Sequence, residues 1–308
     1  MPLDSVSIRR FRNLLLATAI MVYLLIVVGG IVRVTGSGLG CPDWPRCFGQ
    51  WIPPLRADAI IEYTHRLVAT LTSPLILASA VVAWRRFRDV RLASHPLLYA
   101  ILLLALQGLL GGIVVLLETP PDLVSIHLTI AFLIQAMIIV PTVLTYLAPR
   151  VEIASARLRF DSRFARLARL TTIMVFLMIL SGAIVVGSNS TYACSGWPLC
   201  NGQLIPTNPM GGIHMGHRLM VLIASTHVLL LYLRSRRTEF NLHDNRTVTG
   251  LLLLVVILQA GVGALKVSFA FPTLLLGVHV GLASAVWGLM VIQFALAGLE
   301  SSAKALGD

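Results

Sequence analysis

The chain has 308 residues, 57% of them hydrophobic and only 12% charged, with a mean hydropathy of +0.86. A soluble domain carries roughly one-quarter charged residues, so this composition excludes an ordinary water-soluble protein and describes an integral membrane protein. The net charge of +11 suggests a nucleic-acid partner only until its distribution is read.

Arg9, Arg10 and Arg12 precede a first apolar stretch at 14–35, long enough to cross a bilayer at about 20 residues per span. It is of full spanning length and no small-residue cleavage site follows it, so no cleavable signal peptide is expected. Further stretches at 63–84, 96–117, 124–147, 168–188, 214–233, 248–268 and 273–297 bring the predicted helices to eight, four per half. Arg85, Arg86, Arg88 and Arg91 follow the second; Arg150, Arg157, Arg159, Arg163, Arg166 and Arg169 lie between the fourth and fifth; Arg234, Arg236, Arg237 and Arg246 follow the sixth. With Lys304 these make 18 of the 24 basic residues on one side, against Arg33, Arg46, Arg56, Arg66, Arg218 and Lys266 toward the other. The positive-inside rule then predicts a multi-pass plasma-membrane protein with both termini and the arginine loops in the cytoplasm. The basic runs are topology signals and contacts for anionic membrane lipid, so no nucleic-acid partner is expected.

The chain repeats itself. Cys41, Trp44, Pro45, Cys47 and Gly49 recur 153 residues on as Cys194, Trp197, Pro198, Cys200 and Gly202, and His65-Arg66, Gln107 and His127 recur 152 residues on as His217-Arg218, Gln259 and His279. A duplicated unit of about 150 residues with four spans per copy re-enters the membrane in the same direction. The expected fold is therefore all-α, two parallel four-helix bundles related by a pseudo-twofold along the membrane normal. Its divisions are an N-terminal half at 1–149, a cytoplasmic linker at 150–169 and a C-terminal half at 170–308. The spacing of Arg157, Arg163 and Arg166 predicts a short amphipathic helix in that linker, and Gly108, Gly111, Gly112, Gly261 and Gly263 predict close helix contacts in helices 3 and 7.

Both cysteine pairs fall in outer loops, at 36–61 and 189–213, which are expected to fold over the outer helix ends. An oxidising compartment favours local Cys41–Cys47 and Cys194–Cys200 disulfides. The rival is a four-cysteine zinc centre shared between the copies. His65, His127, His217 and His279 stand at one depth when counted to the cytoplasmic arginines or the chain end, near the outer ends of helices 2, 4, 6 and 8. Two helices each presenting an imidazole at that depth suit a haem iron with two axial histidines, and two halves imply two sites. Packing is the alternative for any single intramembrane histidine. That reading is applied to His227, which has no counterpart in the first half; His95 and His243 are placed in cytoplasmic loops.

The copies differ where Glu62 in the first half aligns with His214 in the second. Glu62 and His65 share a helix face, so the carboxylate suits proton transfer beside a ligand; an acidic residue stabilised by the helix N-terminus is the alternative. Arg66 and Arg218 suit haem propionates or, equally, lipid headgroups.

The run from Gly29 through Thr35, Gly38, Cys41 and Trp44 to Pro45, with Glu62-Tyr63-Thr64-His65-Arg66 and the second His217-Arg218, resembles the haem A synthase family over essentially all eight helices. The resemblance implies oxidation of the C8 methyl of haem O to a formyl group through successive hydroxylations, giving haem A for cytochrome c oxidase. It further implies that His65 and His127 frame the substrate haem, with Arg66 beside them, and that Glu62 is the reaction-associated carboxylate. His217 and His279, with Arg218, correspond to the ligands of a resident haem b that relays electrons, and the four cysteines match the family's outer pairs. The partners implied are haem O, the farnesyltransferase that makes it, cytochrome c oxidase assembly and an unidentified electron donor or acceptor. An iron held by two histidines has no open position for oxygen, so removal of electrons and trapping by water is favoured over direct oxygen rebound, which requires His65 or His127 to dissociate. A di-haem cytochrome and a haem transporter are the competing functions.

Overall fold

The structure, a computed structural model, describes residues 5–149, 151–237 and 243–304. Arg150 and the side chains of His243 and Lys304 lie outside the described residues. Eight helices follow in order: α1 Ser5–Val34, α2 Ala57–Arg86, α3 Arg91–Leu116, α4 Pro121–Leu147, α5 Arg163–Gly187, α6 Pro209–Arg237, α7 His243–Ser268 and α8 Thr273–Lys304, with a single 3₁₀ turn at Ser37–Leu39 after α1. All eight are long and apolar enough to cross a membrane. Helices satisfy their own backbone groups, which the hydrocarbon demands. The apolar surface left outside the core, such as Leu102, Leu109 and Leu116 along one stripe of α3, is what a lipid solvent permits. Most helices extend several residues beyond the apolar stretches that announce them, because backbone hydrogen bonding continues into the polar flanks after hydropathy has fallen.

Helix neighbours repeat between the halves. Within the first, α1 packs on α2 and α4, and α3 on α2 and α4; within the second, α5 packs on α6 and α8, and α7 on α6 and α8. Across the halves α1 meets α8, α5 meets α4, and α4 meets α8. Exchanging the halves leaves this pattern unchanged, as a pseudo-twofold requires. The α4–α8 seam carries a matched pair of bonds: Gln135 Nε2 donates to Ser284 O at 3.2 Å, and Trp287 Nε1 donates to Phe132 O at 2.7 Å. Gln135 and Trp287 are counterparts 152 residues apart, as are Phe132 and Ser284. The tight connections repeat as well, with Glu118-Thr119 and Ala270-Phe271 all in the left-handed region.

The linker departs from expectation. Residues 151–162 form turns and extended chain instead of an amphipathic helix. The N–H of Arg159 donates to Gly298 O, and Phe160 packs on Phe294, so this segment is docked against α8. Ser162 then accepts from the Ala165 amide at 3.0 Å and starts α5, taking Arg163 and Arg166 into that helix; an N-cap serine supplies the acceptor that orphan amides need. His95 is likewise helical, exposed at the fifth residue of α3.

Candidate functional site

The four histidines come together as two pairs. His65 and His217 each lie eight residues past the first residue of their helices, Ala57 and Pro209; His127 and His279 each lie six past theirs, Pro121 and Thr273. At 1.5 Å per residue these depths differ by only about 3 Å. His65 and His127 stand within electrostatic reach of one another, as do His217 and His279.

Each imidazole lies against a glycine of the preceding helix. A methyl placed on Gly29 of α1 would stand 2.9 Å from His65 Cε1, and one on Gly182 of α5 would stand 3.1 Å from His217 Cε1. Gly111 of α3 and Gly263 of α7 stand in the same relation to His127 and His279, at 3.4 and 3.3 Å. Gly29 and Gly182 are 153 residues apart, Gly111 and Gly263 are 152 apart. All four rings are therefore packed against helix backbone, which limits how far each can move toward the neighbouring helix but leaves its orientation to any polar contact it makes. This role differs from the helix-to-helix contact expected for the glycines of helices 3 and 7. Gly112 faces the Trp44 indole, and Gly108 and Gly261 face open space.

Hydrogen bonding separates the halves. His217 Nδ1 is 2.8 Å from Ser181 Oγ, and Ser181 donates its own proton to Met178 O at 2.7 Å. With that proton committed, Ser181 accepts from His217 Nδ1–H, so the lone pair is on Nε2, ready for a metal. The residue corresponding to Ser181 in the first half is Val28, and His65 Nδ1 is buried without a partner, as are Nδ1 of His127 and His279. Gln259 Nε2 donates to His279 O at 3.0 Å, a bond with no counterpart at Gln107, while the Oε1 of both glutamines is buried without a partner. None of the four Nε2 atoms has a hydrogen-bond partner among the described residues, so each is free to ligate, and two such imidazoles at one depth in each half would suit a haem iron. Among the described residues no group of three or more His, Cys, Asp or Glu converges as a protein-only metal site would require.

Glu62 is buried, with 3% of its surface exposed, and both of its oxygens are engaged. Oε2 accepts from the Cys41 amide at 2.9 Å and Oε1 accepts from Arg66 Nη2 at 2.5 Å. Arg66 donates further to the carbonyls of Cys41, Asp43 and Arg46 at 2.8–2.9 Å. Glu62 and Arg66 thus tie the loop between α1 and α2 to α2, one turn from His65. In the second half His214 replaces the carboxylate; it is buried with Nδ1 unpartnered. Arg218 donates to Pro198 O at 2.9 Å, but its Nη2 is buried without a partner. His227 bonds the Ile223 carbonyl of its own helix at 2.9 Å, in keeping with packing.

Above the sites, Cys41–Cys47 and Cys194–Cys200 are each closed as a disulfide within one loop, which removes the shared zinc centre. Each loop then turns back on itself through an antiparallel bridge, Cys47 to Gln50 and Cys200 to Gln203. Both central residues of each turn have positive φ, Phe48-Gly49 and Asn201-Gly202, which is why glycine recurs there. Asp43 accepts from the Phe48 and Gly49 amides at 2.5 and 2.8 Å. The Gly49 amide first, then that of Phe48, holds this carboxyl below its ordinary value. Trp44 lies over α3 at Gly112, so the first loop reaches from α2 across to α3.

The model of a family described as cytochrome oxidase assembly protein, COX15-CtaA, matches residues 12–291. The chain belongs to this family. Among its relatives, a heme A synthase of Alkalihalophilus pseudofirmus is 31% identical over 253 residues, 80% of this chain and 84% of that protein. A heme A synthase of Shouchella clausii is 30% identical over 271 residues, 87% and 90% of the two chains, and one of Geobacillus kaustophilus is 28% identical over 289 residues, 91% and 89%. The matched region takes in both disulfide loops and all four histidines, so the family resemblance and the site geometry concern the same residues.

Composition and motif spacing do not mark the four backing glycines or Ser181 as site residues. Their signal is the repeat itself: each glycine keeps the register of the histidine it supports, and Ser181 breaks it.

Proposed function

We propose that this protein is a haem A synthase, an oxidoreductase of the membrane that converts haem O to haem A for cytochrome c oxidase. The observation that carries the assignment of the halves is the Ser181–His217 bond, present in one copy and absent from the other. A ligand with an oriented ring suits a haem that stays; a ligand without one suits a haem that arrives, reacts and leaves. On this reading 1–149 forms the substrate half, with His65 and His127 framing haem O. Residues 170–308 form the cofactor half, with His217 and His279 holding haem b, and 150–169 links them on the cytoplasmic side. The disulfide loops lie outside and both termini inside, as the arginine distribution requires.

Haem b, when bound, supplies one-electron transfer. The rest falls to side chains and substrate. Converting the C8 methyl to a formyl group consumes one water and releases four electrons and four protons. Each two-electron oxidation breaks one C–H bond; water adds to give first the alcohol and then the gem-diol, which loses water to the aldehyde. Glu62 is placed to take protons: each carboxylate oxygen has a lone pair beyond the bond it already makes, and the carboxylate sits one turn from His65. Arg66 bonds Glu62 and three loop carbonyls and so anchors the loop that covers the substrate, which is its contribution to haem binding. The glycines behind His65 and His127 hold the rings at fixed depth, so the reacting methyl presents at one height. Partners on this reading are haem O, the farnesyltransferase that supplies it, an electron donor or acceptor and the surrounding lipid.

The test is conversion. Purified protein given haem O and an electron acceptor should yield a formyl porphyrin by mass and by pyridine haemochrome spectrum. A di-haem cytochrome would hold haem yet yield none, and a transporter would hold no haem tightly. Formyl oxygen from water, with exchange controlled, supports the electron-removal route; oxygen from O₂ contradicts it.

A further inference from the structure

Three cations converge beside the C-terminal histidine pair. Lys266 lies within electrostatic reach of His214, His217 and His279, and both Arg33 and Arg218 act on it. No carboxylate pairs with any of the three among the described residues. Arg218 Nη2 is buried and unbonded. Like charges held together in low dielectric repel, so such a cluster calls for an anion.

The helices set Lys266 and Arg33 at one level, which the Arg218 side chain reaches. Lys266 follows Gly263, which backs His279, by three residues on the outward-running α7; that is about 4–5 Å outward of the imidazole. Arg33 follows Gly29, which marks the histidine level on α1, by four residues, or about 6 Å. Arg218 is next to His217, and its guanidinium reaches outward to the Pro198 carbonyl. Arg33 belongs to the other half. It is brought here because α1 packs its glycine face on α8: a methyl on Gly30 would collide with Val280, the neighbour of His279, and Gly277 meets Val34. At the N-terminal site the corresponding positions are Val114 of α3 and, from the other half, Val186 of α5, and Arg66 is already closed by Glu62.

We propose that Arg218, Lys266 and Arg33 form a clamp for the two propionate carboxylates of the tetrapyrrole held by His217 and His279, with Arg33 supplied across the boundary between halves. The proposal rests on the assignment of a haem to that half. Charge-assisted bonds from a lysine and two arginines match two carboxylates and relieve the mutual repulsion of the cations. Among the described residues the substrate half shows no such cluster, so its ligand is held by the histidines and apolar walls and can exchange.

The experiment compares haem b with its dimethyl ester, in which both propionates are uncharged. Full-length protein from haem-deficient cells, carrying His127→Ala so that only the C-terminal site is read, is titrated with each and followed by its Soret band. Haem b should bind at least about tenfold tighter than the diester. Lys266→Gln and Arg33→Gln should each remove most of that preference while leaving diester affinity unchanged, and Lys266→Arg should restore it. Unchanged diester binding also reports that the variants fold. Equal binding of both ligands by the unsubstituted cluster, or an undiminished preference in both neutral variants, overturns the clamp. Titrations in phosphatidylcholine discs with and without phosphatidylglycerol identify the anion: a preference abolished by anionic lipid assigns the cluster to lipid phosphate and overturns the proposal. Insensitivity of haem binding to His279→Ala would instead contradict the haem assignment itself.

Discussion

Ser181→Ala converts one half into the other at a single atom. The substitution removes the 2.8 Å contact to His217 Nδ1 and leaves that nitrogen as His65 Nδ1 is now, buried and unbonded. A buried donor stripped of its partner costs about 1–3 kcal/mol, and loss of ring orientation behind a metal ligand commonly weakens binding about 10–100-fold. Haem retention in the C-terminal site should therefore fall by about 5- to 150-fold, with the fold intact because a serine-sized space is filled by alanine. The assay is competitive removal of haem by apomyoglobin, followed by the Soret band, with rhombic low-spin electron resonance signals reporting ring orientation. The reciprocal change, Val28→Ser, should slow haem loss from the substrate half and raise the fraction of product left bound. Unchanged haem loss in Ser181→Ala, with an unchanged resonance spectrum, would refute the idea that this bond separates a resident site from an exchanging one.

Four further outcomes are expected. Glu62→Gln should keep resident haem yet lower conversion of haem O by at least about 100-fold, as loss of a positioned proton acceptor does; loss of resident haem in that variant would break the division between halves. Gly29→Ala sets a methyl 2.9 Å from His65 Cε1, so the ring must move by about half an ångström or more to reach ordinary contact; substrate affinity should fall while the C-terminal spectrum stays the same. Trp287→Phe deletes the 2.7 Å bond to Phe132 O and should lower stability of the α4–α8 seam by about 1–3 kcal/mol, read as thermal unfolding in detergent. Asp43 gives a pH dependence: its carboxyl lies below its ordinary value, so its contribution is complete above about pH 4 and is lost as pH falls through the lower folded value. Exchange protection at the Phe48 and Gly49 amides, corrected for intrinsic rates, should fall in that acid window and be absent in Asp43→Ala.

The membrane fold was legible because hydropathy and the arginine runs are local properties that need no knowledge of packing. The duplication extended that legibility to the site, since His65 with His217 and His127 with His279 keep their register. What faces what was not legible. Gly111 and Gly263 read as helix-contact glycines because a missing side chain does not say which neighbour fills its space; here the neighbour is an imidazole. Lys266 and Arg33 read as stray outer charges because Arg33 reaches the second half only through the α1–α8 packing. The linker misled for a different reason: the spacing of Arg157, Arg163 and Arg166 is helical, but Ser162 begins the helix between them. Glu62 was found by its mismatch with His214, whereas its bond to the Cys41 amide depends on where the disulfide loop folds.

The most direct test of the two-site account is the haem content of four single variants purified in parallel. His217→Ala and His279→Ala should lose the resident haem b; His65→Ala and His127→Ala should retain it while failing to convert haem O. Loss of resident haem from the N-terminal pair, or its survival in both C-terminal variants, would contradict the account.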